Sequence, residues 1–192
     1  MTEEGYITKR SIADSVIALC HVKSFEKITI KDISEKCGIN RQTFYYHFVD
    51  KYDLLEWIYR TDLLDAHMND VDFDNWPEKL CSTLTDMRAD KSFYINTITH
   101  TEDYITYYML EQAQNIFEQA IDTLDETRKV DPAQRNFIAR FFAYGVCGSI
   151  LEWAKNGMED TPENITRRMT TLRDLCEKAA YDYVRDTKSG TE

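Results

Sequence analysis

Residues 29–48 read Thr29-Ile30-Lys31-Asp32-Ile33-Ser34-Glu35-Lys36-Cys37-Gly38-Ile39-Asn40-Arg41-Gln42-Thr43-Phe44-Tyr45-Tyr46-His47-Phe48. Thr29 stands just ahead of Ile30 and Ile33 and three residues before Asp32. That is the spacing of a capping box, with a shorter acid in place of the usual Glu or Gln, and it predicts a helix beginning at Ile30. Gly38 ends that helix, because a tight helix-to-helix turn demands the left-handed conformation that glycine adopts without strain. Asn40 is placed to cap the next helix, in which Phe44 and Phe48 recur at i and i+4 and face the core with Ile39. Arg41, Gln42, Thr43, Tyr45, Tyr46 and His47 are left for the other faces.

Outward from this stretch the pattern stays helical. Ile12, Val16, Leu19 and Cys20 make one stripe over residues 6–23, the first helix. Asp50 precedes a helix from Lys51 to about His67, and residues 69–75, rich in Asn and Asp, read as a loop. Pro77 marks the start of a helix ending near Arg88, Lys91–Thr99 form a short one, and a long one spans about Asp103–Arg128. Asp131-Pro132 and Thr161-Pro162 each place a capping residue before a proline at the first helical position, so helices follow over about 132–156, ended by Asn156-Gly157, and 162–185. No sustained alternating run suggests strand. The fold class is all-α: a three-helix head over residues 1–50 and a helical body over 51–192, about nine helices, with the helix from Lys51 to about His67 linking the two.

Composition narrows the setting. Five cysteines, odd in number, scattered and without a C-x-x-C pair, argue against a disulfide framework or zinc site and fit a reducing cytoplasm. The start of the chain lacks the basic and apolar regions of a signal peptide, and no apolar run is long enough to span a bilayer, so no membrane partner is expected. The net charge of -11 is unevenly spread: residues 1–60 carry nine Lys/Arg and nine Asp/Glu, whereas 61–192 carry 14 against 25. A neutral head can still turn Lys9, Arg10, Lys31, Arg41 and Lys51 towards phosphates, while an acidic body is repelled by a duplex or serves solubility alone.

Two short helices joined by a glycine turn, with polar groups at the start of the second, are the arrangement of a DNA-binding helix-turn-helix. Arg41 suits guanine O6 and N7, Gln42 suits adenine N6 and N7, and Thr43 suits a phosphate or a thymine methyl. Tyr45, Tyr46 and His47 offer donors to backbone phosphates, although the two tyrosines fit packing against neighbouring helices as well. Lys51 and Thr29, each at a helix start, are placed to clamp phosphates.

At these residues the chain resembles the TetR family of transcriptional regulators. The match covers Thr29-Ile30-Lys31-Asp32-Ile33, Cys37-Gly38-Ile39-Asn40-Arg41, Thr43-Phe44-Tyr45-Tyr46-His47-Phe48 and Asp50-Lys51 with Leu54-Leu55, about the first 60 residues. Cys37 stands where the family more often has alanine, and Tyr52 where an acid is usual. The resemblance implies a homodimer on a near-palindromic operator, with the last two helices as dimer interface and a signal-recognising body. Leu54-Leu55-Glu56-Trp57-Ile58, Trp76 and Lys91-Ser92-Phe93-Tyr94 further resemble the branch containing regulators of dihydroxyacetone kinase operons, where the signal arrives through a protein partner and the regulator activates.

In the body, Trp57, Trp76, Tyr94, His100, Tyr104, Tyr107 and Tyr108, with Tyr59 and Phe117 nearby in sequence, are candidates to line an effector pocket. A filled helical core accounts for the same spacing. For the dimer, Ala139, Ala143 and Cys147 form a small-residue row bordered by Phe142, Val146 and Ile150, and Met169, Leu172, Cys176 and Ala179 stripe the last helix. Burial of both faces within one subunit is the alternative. His67 and His100 lack companions at metal-ligand spacing, and no phosphate loop, nucleophile elbow or H-E-x-x-H motif occurs, so no metal, cofactor or catalytic centre is expected. The reading is a dimeric repressor switched by a small-molecule or protein effector. An activator controlled by a protein partner, or an interaction adaptor that has lost DNA binding, are the alternatives.

Overall fold

The computed structural model describes residues 3–72, 74–101, 103–124 and 130–189, and the side chains among them other than those of residues 124, 176, 177 and 179–189. The described residues form nine α-helices and no strand: α1 (Glu3–Cys20), α2 (Ile30–Cys37), α3 (Arg41–His47), α4 (Lys51–Tyr59), α5 (Trp76–Ala89), α6 (Lys91–Thr99), α7 (Tyr104–Leu124), α8 (Pro132–Lys155) and α9 (Pro162–Ser189). A 3-10 turn, Phe25–Lys27, separates α1 from α2, and α4 runs on without a break into wider π-type turns over Arg60–Met68.

The local signals act as the sequence suggests. Thr29 Oγ1 accepts from the Asp32 N–H at 3.2 Å while the Asp32 carboxylate accepts from the Thr29 N–H at 2.8 Å, closing the capping box. Gly38 takes φ +74°, and the Ile39 N–H donates back to the Ser34 carbonyl at 3.0 Å. Asn40 Oδ1 accepts from the Thr43 N–H at 2.7 Å, and Asp50 Oδ1 accepts from the N–H groups of Tyr52 and Asp53. Asp131 caps α8 in the same way, accepting from Ala133 and Gln134.

Two differences from the sequence reading have physical causes. Helix α1 ends at Cys20 rather than residue 23, because the N–H groups of Val22 and Lys23 both donate to the Leu19 carbonyl and close the last turn. The link helix widens beyond Tyr59, where Thr61 Oγ1 donates to the Trp57 carbonyl at 2.8 Å and a side chain takes an acceptor from the α-helical ladder. Helix α9 continues to Ser189. The expected end of the long helix α7 near Arg128 lies outside the described residues.

One apolar core runs from Ile12, Val16, Ile33 and Phe44 in the head, through Leu54, Leu55 and Ile58 of α4, to Leu84, Phe93 and Ile98 in the body. The boundary drawn after residue 50 thus crosses continuous packing, with α1 and α4 both lying against body helices. Tyr59 of α4, fully buried, is tied to α6, its hydroxyl 2.7 Å from Thr97 Oγ1.

Candidate nucleic-acid interface

The short helix α3 owes its position to its apolar side. Phe44 and Phe48 are buried, their rings 5.9 Å apart, and each buried benzyl group contributes roughly 1.5–3 kcal/mol relative to exposure. With that side locked, Arg41 and Gln42 in the first turn are exposed and make no hydrogen bond or ion pair within the described residues. Tyr45 and Tyr46 are also exposed, Tyr46 at 85%. The packing alternative for these tyrosines is therefore not realised beyond edge-on ring contacts with Phe44 and His47. Thr43 Oγ1 donates to Asn40 Oδ1, and the Thr29 hydroxyl donates to Asp32, so both hydroxyls are oriented by caps at the surface. The arrangement presents a guanidinium, a carboxamide and two phenols on the outward face of a rigidly seated helix, the groups that read base edges and bind phosphates.

Lys51 stands apart from this surface. Its Nζ donates to the carbonyls of Phe25, Glu26 and Ile28 at 2.8, 2.9 and 3.0 Å and lies 4.7 Å from the centre of the Phe25 ring. All three ammonium donors are engaged, and burial pulls its pKa below the ordinary lysine range. The expected phosphate clamp is instead a fastener for the turn after α1. Arg10 is likewise engaged within the chain: it pairs with Asp14 and with Asp62 of the π segment, and these hydrogen bonds outweigh burial and raise its pKa. Lys9 lies over the Phe48 ring at 4.9 Å.

Asn96 of α6 was not singled out by the sequence, although a carboxamide amid Phe93, Tyr94, Ile95 and Ile98 is a signal for a satisfied buried polar group. Its Oδ1 accepts from the Phe25 N–H, and its Nδ2 donates to the carbonyls of Cys20 and Lys23. The turn that carries α2 and α3 is thus held from the body by Asn96 and from α4 by Lys51.

The aromatic residues proposed for an effector pocket do not converge on one cavity. Trp57 is buried beside Tyr6 and Phe48, and Tyr94 packs edge-on against Tyr59 and Phe93. Trp76 carries the Arg173 guanidinium 5.7 Å above its ring, and His100 Nδ1 lies 2.9 Å from the Asn96 carbonyl at the end of α6. Tyr104 donates to Glu56 at 2.6 Å, which together with burial raises its pKa; Tyr107 is exposed; Tyr108 is half-buried, pushed up to about 12 by desolvation. These side chains fill the core or cover it. Tyr94 also borders one of two clefts, and the other lies elsewhere. A polar cleft of about 400 Å³ lies between the π segment, α7 and α8, lined by Asn69, Gln112, Asn115, Gln119, Glu118 and Arg135. A second, of about 420 Å³, lies between α1 and the body.

The dimer stripe is also reassigned. Ala139, Ala143, Cys147 and Ile150 are buried inside the chain, where small side chains let α7 approach α8 closely, and the Cys147 thiol sits 3.6 Å from the Met109 carbonyl. Val146 and Met169 pack on the same core, and Phe142 stacks on Phe117 of α7. The opposite face of α8 is the open one: Phe137 and Phe141 are 64% and 67% exposed, Tyr144 follows, and Leu172 and Leu175 on α9 are 59% and 60% exposed. Of the expected α9 residues, Leu172 is thus exposed, while the side chains of Cys176 and Ala179 lie outside the described residues.

Residues 13–58 match the bacterial regulatory proteins of the tetR family, and residues 74–174, more than half the chain, match its transcriptional regulator C-terminal region. The chain belongs to the TetR family. It is a DNA-binding transcriptional regulator and not an enzyme. Among its relatives is the HTH-type dhaKLM operon transcriptional activator DhaS of Lactococcus lactis subsp. lactis (strain IL1403), 25% identical over 154 residues, which are 78% of this chain and 81% of that protein. The solved structure of the dihydroxyacetone kinase operon activator DhaS matches with a TM-score of 0.66 at 24% identity, over 87% of this chain and 94% of that one. NalD, the secondary repressor of the MexAB-OprM multidrug efflux pump in Pseudomonas aeruginosa, matches with a TM-score of 0.60 at 13% identity, over 89% and 95%. These likenesses establish the nine-helix regulator fold and the resemblance to dihydroxyacetone kinase operon regulators read from the body. Among the described residues no His, Cys, Asp and Glu cluster is arranged to hold a metal, and no helix is long and apolar enough to cross a membrane.

Proposed function

We propose that this regulator acts in the cytoplasm as a homodimer on a near-palindromic operator, with α3 of each copy in successive major grooves. Arg41 and Gln42 read base edges, and Thr43, Tyr45, Tyr46, His47 and Thr29 contact the backbone. The observation that carries the reading is the pair Arg41 and Gln42, exposed and without a partner among the described residues, at the start of a helix whose other side is locked by Phe44 and Phe48. A second copy covers α8 and α9, where Phe137, Phe141, Tyr144, Leu172 and Leu175 are exposed. The body receives a small-molecule or protein signal and passes it to the heads by favouring one head separation over another. Repression follows if the dimer blocks a promoter. The likeness to DhaS, a transcriptional activator, favours activation as the second reading.

Selection of bound duplexes from a random pool tests this directly. The full-length protein is expected to enrich an inverted repeat whose half-sites lie about one turn, roughly 10 base pairs, apart. Enrichment of a single unrepeated site, or of none, counts against the dimeric reader.

A further inference from the structure

The second cleft, of about 420 Å³, has one wall from the head and one from the body. Helix α1 contributes Arg10, Asp14, Ile17 and His21, and the body contributes Asp62 of the π segment, Asp86 of α5, Asp90 and the α6 residues Phe93 and Tyr94. Four carboxylates face one guanidinium, leaving a formal charge of about -3 with histidine neutral. Each acid has a partner: Arg10 holds Asp14 and Asp62, His21 Nε2 lies 2.7 Å from Asp90, and His67 Nε2 lies 2.6 Å from Asp86. A carboxylate nonetheless has about four acceptor sites, so capacity remains on every one.

The second observation is independent of the acids. Tyr94 is only 5% exposed, lines this cleft, and its hydroxyl makes no hydrogen bond among the described residues. Its hydroxyl oxygen is not sealed from solvent, so it can take a partner from the cleft. The neighbouring Tyr59 hydroxyl has one in Thr97. Burial first, then Tyr59 and the carboxylates of Asp62, Asp90 and Asp86, raise the Tyr94 pKa, which keeps the proton on the phenol. Its oxygen is left able to accept and its proton able to donate.

We propose that this cleft binds a small organic ammonium ion. The negative balance excludes an anion, and among the described residues no three ligating side chains are arranged for a metal. Ile17 and Phe93 give the cleft apolar wall that a hydrated inorganic cation would leave uncovered. An ammonium carries three donors, and the acids with the Tyr94 oxygen supply acceptors for them. The volume lies in the range of small-molecule sites. Because the site is shared by α1 and the body, a cation that draws Asp62 away from Arg10 favours a different head position. That consequence rests on the switching reading above, whereas binding itself does not.

Calorimetric titration of the full-length protein, without DNA, with benzylammonium and with the neutral benzyl alcohol is the test. Benzylammonium is expected to bind saturably, about tenfold or more tighter than the alcohol. Tyr94→Phe, which keeps the ring and the fold, is expected to weaken it about three- to tenfold, and Asp86→Asn by roughly tenfold. No saturable binding, equal binding of the alcohol, or undiminished binding in both variants overturns the site. Operator titration at saturating benzylammonium then tests the coupling: a changed affinity supports it, and an unchanged one overturns the coupling while leaving the DNA-reading surface to its own test.

Discussion

The N–H of Phe25, in the head, donates to the side-chain oxygen of Asn96, in the body, at 2.9 Å across 71 residues of sequence. The same carboxamide donates to the carbonyls of Cys20 at 2.6 Å and Lys23 at 2.8 Å, so one side chain satisfies three main-chain groups at the end of α1 and the turn beyond it. Lys51 grips the next carbonyls of that turn from α4. A shift of α6 or α4 is therefore passed to α2 and α3 through hydrogen bonds that are costly to break. We propose these hydrogen bonds as the route by which a body signal reaches the reading helix.

Asn96→Ala removes both ends of this latch and leaves part-buried main-chain groups unpaired, a loss expected to be about 2–3 kcal/mol. Asn96→Asp still accepts from Phe25 but has no donor for the two carbonyls, and is expected to lose at least as much near neutral pH. Urea denaturation measures both. Values within about 0.5 kcal/mol of the parent for the two variants would show the latch to be idle.

Lys51→Met keeps the stem against the Phe25 ring and removes three hydrogen bonds. Stability is expected to fall by roughly 1–3 kcal/mol. The salt dependence of operator binding is expected to stay as in the parent, because the ammonium faces carbonyls and not phosphates. A salt slope flatter by about one unit would place Lys51 on the DNA after all.

Asp32 is held well below the ordinary aspartate pKa, first by the hydrogen bond from Lys23 and then by those from Thr29. A folded-state pKa lower than the unfolded one contributes stability that is complete above the ordinary aspartate value of about 3.9 and is lost as pH falls through it towards the folded value. Asp32→Asn removes this contribution, so its thermal midpoint is expected to lie below the parent's near neutrality and to converge on it in acid. Parallel curves across the whole pH range would refute the assignment.

Phe141→Glu places a charge in the centre of the exposed α8 stripe, between Phe137 and Tyr144. Analytical ultracentrifugation is expected to show the parent as a dimer and this variant as a folded monomer. Ala143→Glu strikes the buried face against α7 and is expected to unfold the body instead. If Phe141→Glu remained dimeric, the interface would lie elsewhere.

The head was legible because its signals are local. Thr29 with Asp32, Gly38, Asn40 and Asp50 each act within three or four residues, and the Phe44 and Phe48 spacing shows which side of α3 is held and which is free. The body was less so. Helix α8 carries small residues at Ala139, Ala143 and Cys147 and aromatics at Phe137, Phe141 and Tyr144, two faces each able to pack. Periodicity separates the faces but does not say which one meets α7. The tyrosines of α7 misled for a related reason: helical spacing puts rings near one another without saying whether space is left between them. The partners of Lys51 and Asn96 are main-chain carbonyls of a distant turn, and no side-chain pattern announces an acceptor of that kind.

Titration of a selected operator duplex with the parent, Arg41→Ala and Gln42→Ala, alongside a scrambled duplex and at two salt concentrations, tests most directly that α3 reads the DNA. Each substitution is expected to cost about 1–3 kcal/mol on the operator and less on the scrambled duplex, so that specificity falls with affinity, while thermal stability is unchanged. Operator binding undiminished by both substitutions would contradict the assignment of Arg41 and Gln42 as the readers.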